Sequence, residues 1–249
     1  FVGGFPGEFI TKILEESHIN SNFVQVDEDT RINVKLKSGQ ETEINAPGPK
    51  ISKEQFQTLL TQIQHTTSED IVIVAGSVPN SISNDAYAQI AEITKETGAQ
   101  LVVDAEKNLV ETVLPYQPLF IKPNKDELEV TFNTSVNSDE DVVKYGKEIL
   151  KKGAQSVIIS LGGDGAIYVD QQQSIKVVNP HGKVVNTVGS GDSTVAGMVA
   201  GLASGLSVQN AFKQAVASGT ATAFEEDLAT RDAIEKIKSQ VTIKVLEGE

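Results

Sequence analysis

Cysteine is absent from the 249 residues, and histidine occurs only at His18, His65 and His181. These two scarcities exclude thiolate catalysis and any Cys/His zinc cluster, and they leave no disulfide to staple the fold. At this length none is needed, because one domain, or one domain with a small appendage, can bury a full hydrophobic core. Arginine is as scarce, occurring only at Arg31 and Arg231, and no run of Lys/Arg offsets a net charge of −13. Such a chain repels nucleic acid and anionic membranes, so neither is expected as a partner. Any bound phosphate would be met by helix N-termini, metal ions and a few placed cations. No apolar stretch approaches the ~20 residues needed to cross a bilayer, and the first residues carry no signal-peptide pattern. The expectation is a soluble, cytoplasmic protein. Phe1-Val2-Gly3-Gly4 reads as a strand end running into a Gly-rich turn with no initiator Met before it, so the natural protein is expected to extend upstream.

What is present is a regular alternation of patterns. Phe9, Ile10, Ile13 and Leu14 recur at helical spacing over 8–16. Short alternating segments follow at 22–26, 30–36 and 41–45, with Ser38-Gly39-Gln40 as a hairpin turn between the last two. Arg31-Ile32-Asn33-Val34-Lys35-Leu36 alternates strictly, which predicts a strand with Arg31, Asn33 and Lys35 on one wet or ligand-facing side. Past Pro47-Gly48-Pro49, Phe56, Leu59, Leu60 and Ile63 form a helical stripe, and the unbroken run Ile71–Ala75 predicts a central parallel strand buried on both faces. Helices over 83–96, 108–114 and 138–151 then alternate with strands over 101–104, 119–122 and 156–161. Segments 165–169 and 174–178 read as an antiparallel edge, and the remainder reads as helix over 192–203, 208–223 and 231–241. The alternation predicts an α/β fold, a mostly parallel sheet with helices on both sides. One domain over 1–249 is expected, with 22–46 forming a small β lid.

Chemistry concentrates in Asn186-Thr187-Val188-Gly189-Ser190-Gly191-Asp192-Ser193-Thr194-Val195-Ala196-Gly197. Glycines at the start of a helix rich in small residues allow close backbone approach, and the helix N-terminus offers free N–H groups and a positive dipole end to a phosphate. Asp192 in that turn is placed to accept a proton from a hydroxyl attacking a phosphoryl group, or it is simply an N-cap residue. Lys122-Pro123-Asn124-Lys125-Asp126-Glu127 is open to two readings, polar partners for a hydrated cation or a capping arrangement at a helix start. Ser160-Leu161-Gly162-Gly163-Asp164-Gly165-Ala166 is a Gly-rich turn after a buried strand, which suits a ligand or a plain hairpin. Ala75-Gly76-Ser77-Val78-Pro79 and Asp104 end strands where open α/β sheets collect ligands, although Asp104 could equally cap a helix.

Taken together, the Asp192 string and these segments, in this order, resemble the PfkB (ribokinase-like) sugar kinases over the whole chain. The resemblance implies a three-layer kinase fold that uses ATP and Mg²⁺. It assigns Asp192 as catalytic base, with Gly189, Ser190 and Gly191 amides as the anion hole. Asn124 and Glu127 would hold the metal through water, and Ser160, Gly162, Gly163, Gly165 and Ser218 would bind the nucleotide. Ser77 and Asp104 fall where the family touches the sugar. No Walker A pattern is present, which argues against a P-loop kinase. The stretches Thr30–Leu36 and Thr42–Pro49 look like the lid of the 1-phosphofructokinases, with Arg31 and Asn33 toward a sugar phosphate. The family's N-terminal segment, with its first strand, sugar-binding Asp and Gly-Gly-Lys-Gly-type signature, lies ahead of Phe1. The implied reaction turns fructose 1-phosphate into fructose 1,6-bisphosphate. Tagatose 6-phosphate or another sugar is the alternative substrate, and a non-catalytic sugar-phosphate or nucleotide-binding module is the alternative of a different class, against which Asp192 counts. Exposed lid edges suggest a homodimer formed through the lid.

Overall fold

The computed structural model describes residues 1–38 and 40–248, so the Gly39 turn lies outside the described residues. They fall into two compact units, Phe1–Ser68 with Ser77–Gly98, and Glu69–Gly76 with Ala99–Glu249.

In the first unit, α1 (Gly4–Glu16) follows a pinned N-terminal stretch. Val2 donates to Val24 O (3.1 Å) and accepts from Val26 N–H (2.9 Å), and Gly3 N–H donates to Thr30 Oγ1 (3.0 Å). Segment 22–26 therefore makes a lone bridge, Val2 to Gln25, and not the expected strand. Strands β1 (Val34–Ser38) and β2 (Gln40–Ile44) form an antiparallel hairpin whose outermost pair is Val34 with Ile44. The expectation that Arg31 starts the strand is thus corrected. A strand needs a ladder partner, and the ladder stops three residues short of Arg31, which is exposed. Asn33, also outside the ladder, closes its open end by accepting from Ala46 N–H through Oδ1 (3.2 Å). Helix α2 (Lys53–Ile63) begins with a reciprocal capping box, Ser52 Oγ accepting from Gln55 N–H and Gln55 Oε1 from Ser52 N–H. Helix α3 (Ala86–Thr97) ends at Gly98, left-handed at φ 79°.

The second unit is a seven-stranded sheet in chain order: β3 (Ile71–Ala75), β4 (Gln100–Asp104), β5 (Phe120–Ile121), β6 (Val157–Ser160), β7 (Ala166–Val169), β8 (Ser174–Val178) and β9 (Thr242–Glu247). The first four pair parallel and the last three join antiparallel, so the sheet is mixed. Two strand expectations change here. The apolar run Ile71–Ala75 is the edge of this sheet, with Ile73 46% exposed, because apolarity along a strand reports hydrophobicity and not the number of neighbours it finds. Segment 242–247, to which the sequence pattern assigns no element, is the far edge strand β9, where Ile243 and Val245 alternate with Lys244 and pair with β8.

Helices α4 (Lys107–Val113), α5 (Lys125–Phe132), α6 (Asp139–Lys151), α7 (Ser190–Ala203), α8 (Val208–Ala223) and α9 (Arg231–Lys238) complete the unit. Alternation along the strands sorts them into layers. Ile158, Tyr168, Ile175 and Val177 bury one face against Val195, Met198, Phe212 and Ile237 of α7–α9. On the opposite face Gly146 of α6 rests against Val169 and Ile159. Full burial of a side chain such as Phe212 stabilises by about 1.5–3 kcal/mol. No helix among the described residues is long and apolar enough to cross a membrane.

Helices α7 and α8 approach closely because glycine lies at the contact. A Cβ on Gly197 would come within 2.9 Å of Ala215 Cα, and one on Gly201 within 2.8 Å of Ala211 Cα. Backbone cannot give way as a flexible side chain does, so Gly197→Ala should destabilise by about 1–3 kcal/mol. Thermal unfolding should show a Tm lower by several degrees. An unchanged Tm would mean the helices separate freely.

Candidate active site

The C-terminal ends of the parallel strands and the N-terminus of α7 bring the chemical groups together. Gly189 adopts φ 79° as the N-cap of α7, and the left-handed turn swings Ser190 and Gly191 into the first helical positions. Ser193, one residue after Asp192, accepts at its hydroxyl from Thr222 of α8 (2.9 Å), and Thr194 Oγ1 bonds Ser190 O (2.9 Å). The first turn of α7 is thereby tied down while Asp192 stays exposed to solvent.

Beside it, Asp104 at the end of β4 pairs with Lys122 at the end of β5, Oδ2 to Nζ 3.2 Å, their side chains 19% and 9% exposed. Gly191 packs directly on this pair, since a Cβ there would meet Lys122 Nζ at 3.3 Å and Asp104 Oδ2 at 3.9 Å. Burial pushes the Asp104 carboxyl above its usual range, the Lys122 ammonium pulls it down by charge and hydrogen bonding, and the negative charge of Asp192 pushes it up further. Asp104, Lys122, Gly191 and Asp192 therefore form one electrostatic cluster. Lys122 carried no role in the sequence reading. The signal was there, a lone cation following an apolar strand, but only the fold supplies its partner.

A cleft of about 670 Å³ opens next to this cluster. Its walls include Lys122, Asn124, Ser160, Gly162, Gly163 and Gly165 on one side, and Ser190, Gly191, Gly219 and Thr220 on the other. The segment after β6 forms a 3-10 turn, Gly162–Asp164, that leads straight into antiparallel β7. It is thus both a hairpin connection and a cleft wall. A Cβ on Gly162 or Gly163 would meet nothing within 4 Å, so the turn leaves open space above it. Asn124 and Glu127 form a capping box at the start of α5, Asn124 Oδ1 accepting from Glu127 N–H and Glu127 Oε2 from Asn124 N–H, both 2.8 Å. Ser218 is turned away from the cleft. It is buried, its Oγ donates to Gln214 O (2.9 Å), and it faces Gly197 of α7. Gly219 and Thr220, its neighbours, are the cleft-lining residues of that stretch. Arg31, Asn33 and Ser77 belong to the first unit.

Among the described residues no three His, Asp or Glu side chains cluster as metal ligands. The cap uses the single side-chain oxygen of Asn124 and one of the two of Glu127, so this donor set fits a hydrated Mg²⁺ held through water rather than by direct ligation.

The fold and this arrangement are those of an α/β phosphotransferase, and comparison with known proteins identifies the group. The pfkB family carbohydrate kinase model matches residues 1–234, and the chain belongs to that family. It is a carbohydrate kinase. The 1-phosphofructokinase of Bacillus subtilis is 43% identical over 243 residues, 98% of this chain and 80% of that protein. The D-tagatose-1-phosphate kinase of Bacillus licheniformis is 36% identical over 244 residues, again 98% and 80%. A crystal structure of a candidate phosphofructokinase from Staphylococcus aureus superposes with a TM-score of 0.92 at 77% identity, covering 100% of this chain and 81% of that one.

The cluster predicts a titration. A carboxyl whose folded pKa is raised binds its proton more tightly folded than unfolded, so its contribution to stability is present at low pH and falls as pH rises through the raised value. Removing the cation that pulls the value down must raise it further. Carbon NMR of the Asp104 carboxyl should therefore show its midpoint moving upward in Lys122→Gln, and an unmoved midpoint would uncouple the pair.

Proposed function

We propose that the chain transfers the terminal phosphoryl group of ATP to the 6-hydroxyl of fructose 1-phosphate, giving ADP and fructose 1,6-bisphosphate. In this reading 1–249 acts as one kinase domain and 22–46 as its lid. The observation that carries it is Asp192 in the first turn of α7, one residue beyond a cleft-lining glycine that packs on the Asp104–Lys122 pair. Support for the sugar comes from the names of two relatives, both kinases of a sugar phosphorylated at carbon 1.

The nucleotide lies in the cleft between the Gly162–Asp164 turn and α8, its phosphates toward the N-terminus of α7. There the amides of Gly189, Ser190 and Gly191 stabilise the transferring group, acting on charge spread over its equatorial oxygens. Asp192 takes the proton of the attacking hydroxyl as the new O–P bond forms and the bridging bond to ADP breaks. Lys122 offsets the carboxylate of Asp104, so the sugar end of the site is not dominated by two negative side chains. Magnesium, when bound, neutralises phosphate charge; Asn124 and Glu127 would hold it through water. Arg31 and Asn33 recognise the phosphate already on the sugar, with Ser77 and Asp104 on its hydroxyls. Tagatose 1-phosphate is the second reading, favoured by the Bacillus licheniformis relative.

ADP release tests this with Mg²⁺-ATP and fructose 1-phosphate, tagatose 1-phosphate, tagatose 6-phosphate, fructose 6-phosphate and fructose side by side. Fructose 1-phosphate should give the highest kcat/KM, Asp192→Asn should cost about 10²–10⁴-fold in kcat, and Arg31→Ala should erase the preference for a phosphosugar. Preference for another sugar overturns the substrate, and full activity of Asp192→Asn overturns the base.

The same reading extends to assembly. Val34, Leu36 and Ile44 share one face of the β1–β2 hairpin and are 45%, 54% and 59% exposed. A two-stranded ribbon with a bare apolar face is marginal alone, so two copies should join through it. Sedimentation should give the mass of a dimer, and Leu36→Asp should give a monomer. A wild-type monomer would exclude this interface.

A further inference from the structure

We propose that Asn179 is a positioning residue for the nucleotide, a side-chain clasp that sets the distance between the two walls of the cleft. This rests on the reading of the cleft as the ATP site. Asn179 follows β8 directly and lines the cleft. Its Nδ2 donates to Gly162 O at 3.1 Å, and its Oδ1 accepts from Thr220 Oγ1 of α8 at 2.8 Å. One amide therefore joins the Gly-rich turn to the helix opposite, using a donor and an acceptor that point different ways. Pro180 comes next in the chain, and the residue before a proline is held to extended backbone, so the base of the clasp is itself restricted.

The turn has little else to hold it. Gly162 (φ 59°) and Gly163 have no side chains to pack, and Gly165 is left-handed at φ 94°. Its other backbone bonds among the described residues are short-range, Leu161 N–H to Gly165 O (2.8 Å), Asp164 N–H to Leu161 O (3.2 Å) and Gly165 N–H to Gly162 O (3.2 Å). These fix the shape of the turn, but the partners of each lie within it, so none fixes its distance from α8. Gly162 O accepts from Gly165 inside the turn and from Asn179 outside it, and only the second bond ties the wall to Thr220. Thr220 is buried, so its hydroxyl needs the Asn179 acceptor. A wall held ready spares a ligand the cost of ordering it, which shows as affinity. The chemical groups around Asp192 belong to α7 and to the ends of β4 and β5, so the clasp should act on nucleotide binding and leave the phosphoryl-transfer step alone.

Calorimetric titration of ADP and steady-state kinetics on the natural full-length protein test this with Asn179→Ala, Thr220→Val and the double variant. Asn179→Ala should weaken ADP binding and raise KM for ATP together by about 5- to 20-fold, with kcat and the sugar KM within about twofold of wild type. Thr220→Val, close in shape, should do the same to a smaller degree. The double variant should lose little more than Asn179→Ala, because both remove one linkage. Unchanged ADP affinity in both single variants, a fall in kcat matching the rise in KM, or fully additive losses would each overturn the assignment. Should Asn179→Ala fail to fold, Thr220→Val decides it alone. Wild-type protein that binds no nucleotide would overturn the ATP-site reading and the clasp with it; wild-type binding with unchanged variants would overturn only the clasp.

Discussion

The close packing of α7 on α8 is the constraint on which the rest of the site depends. Glycines 197 and 201 bring the α7 backbone against Ala215 and Ala211, and Gly219 on α8 leaves room for Thr194 and the Ser190 carbonyl. With the helices this near, the first turn of α7 has one available position, over the ends of β4 and β5. That position sets Gly191 on the Asp104–Lys122 pair and Asp192 next to it. A looser contact would leave the same residues in the same order along the chain and still misplace the proton acceptor, and displacements of about 1 Å are enough to cost rate heavily.

The sheet contributes the second half of the geometry. Four parallel strands put their C-terminal ends on one edge, and the reversal from β6 into β7 places the Gly162–Asp164 turn on that same edge. Asp104, Lys122 and the turn thus arrive from three different strands at one place. A strand-by-strand progression with a change of direction builds a site that no single segment could supply. The antiparallel strands beyond lead into Asn179, which follows β8 within reach of α8.

Much of this was legible in the sequence where a signal is local. The string from Asn186 to Gly197 displays its helix start, its glycines and its acid in consecutive residues, and α8 was bounded correctly because small and apolar residues alternate at helical spacing. The mixed sheet was legible through its alternation, and the hairpin 34–44 through its turn. What failed to show depends on partners distant in the chain. The edge position of β3 cannot be read from Ile71–Ala75, because the run is apolar whichever neighbours it finds. The start of β1 was misread because alternation continues back to Arg31 although pairing does not. Lys122 and Asn179 look like ordinary polar residues until Asp104, Gly162 and Thr220, between 17 and 41 positions away, are brought to them. The cap at Asn124–Glu127 was visible as one of two readings, since its spacing serves a helix start and a hydrated cation alike.

Gly191 carries a further consequence, one for variation. Every single-base change in a glycine codon that still encodes an amino acid other than glycine yields Ala, Val, Asp, Glu, Arg, Ser, Cys or Trp, and each brings a Cβ. At this position that carbon arrives 3.3 Å from Lys122 Nζ, close enough that the ammonium must yield. Whichever codon change occurs, the first new atom arrives at the ion pair, so substitution at this position is felt by Lys122 and Asp104 before it is felt by anything else.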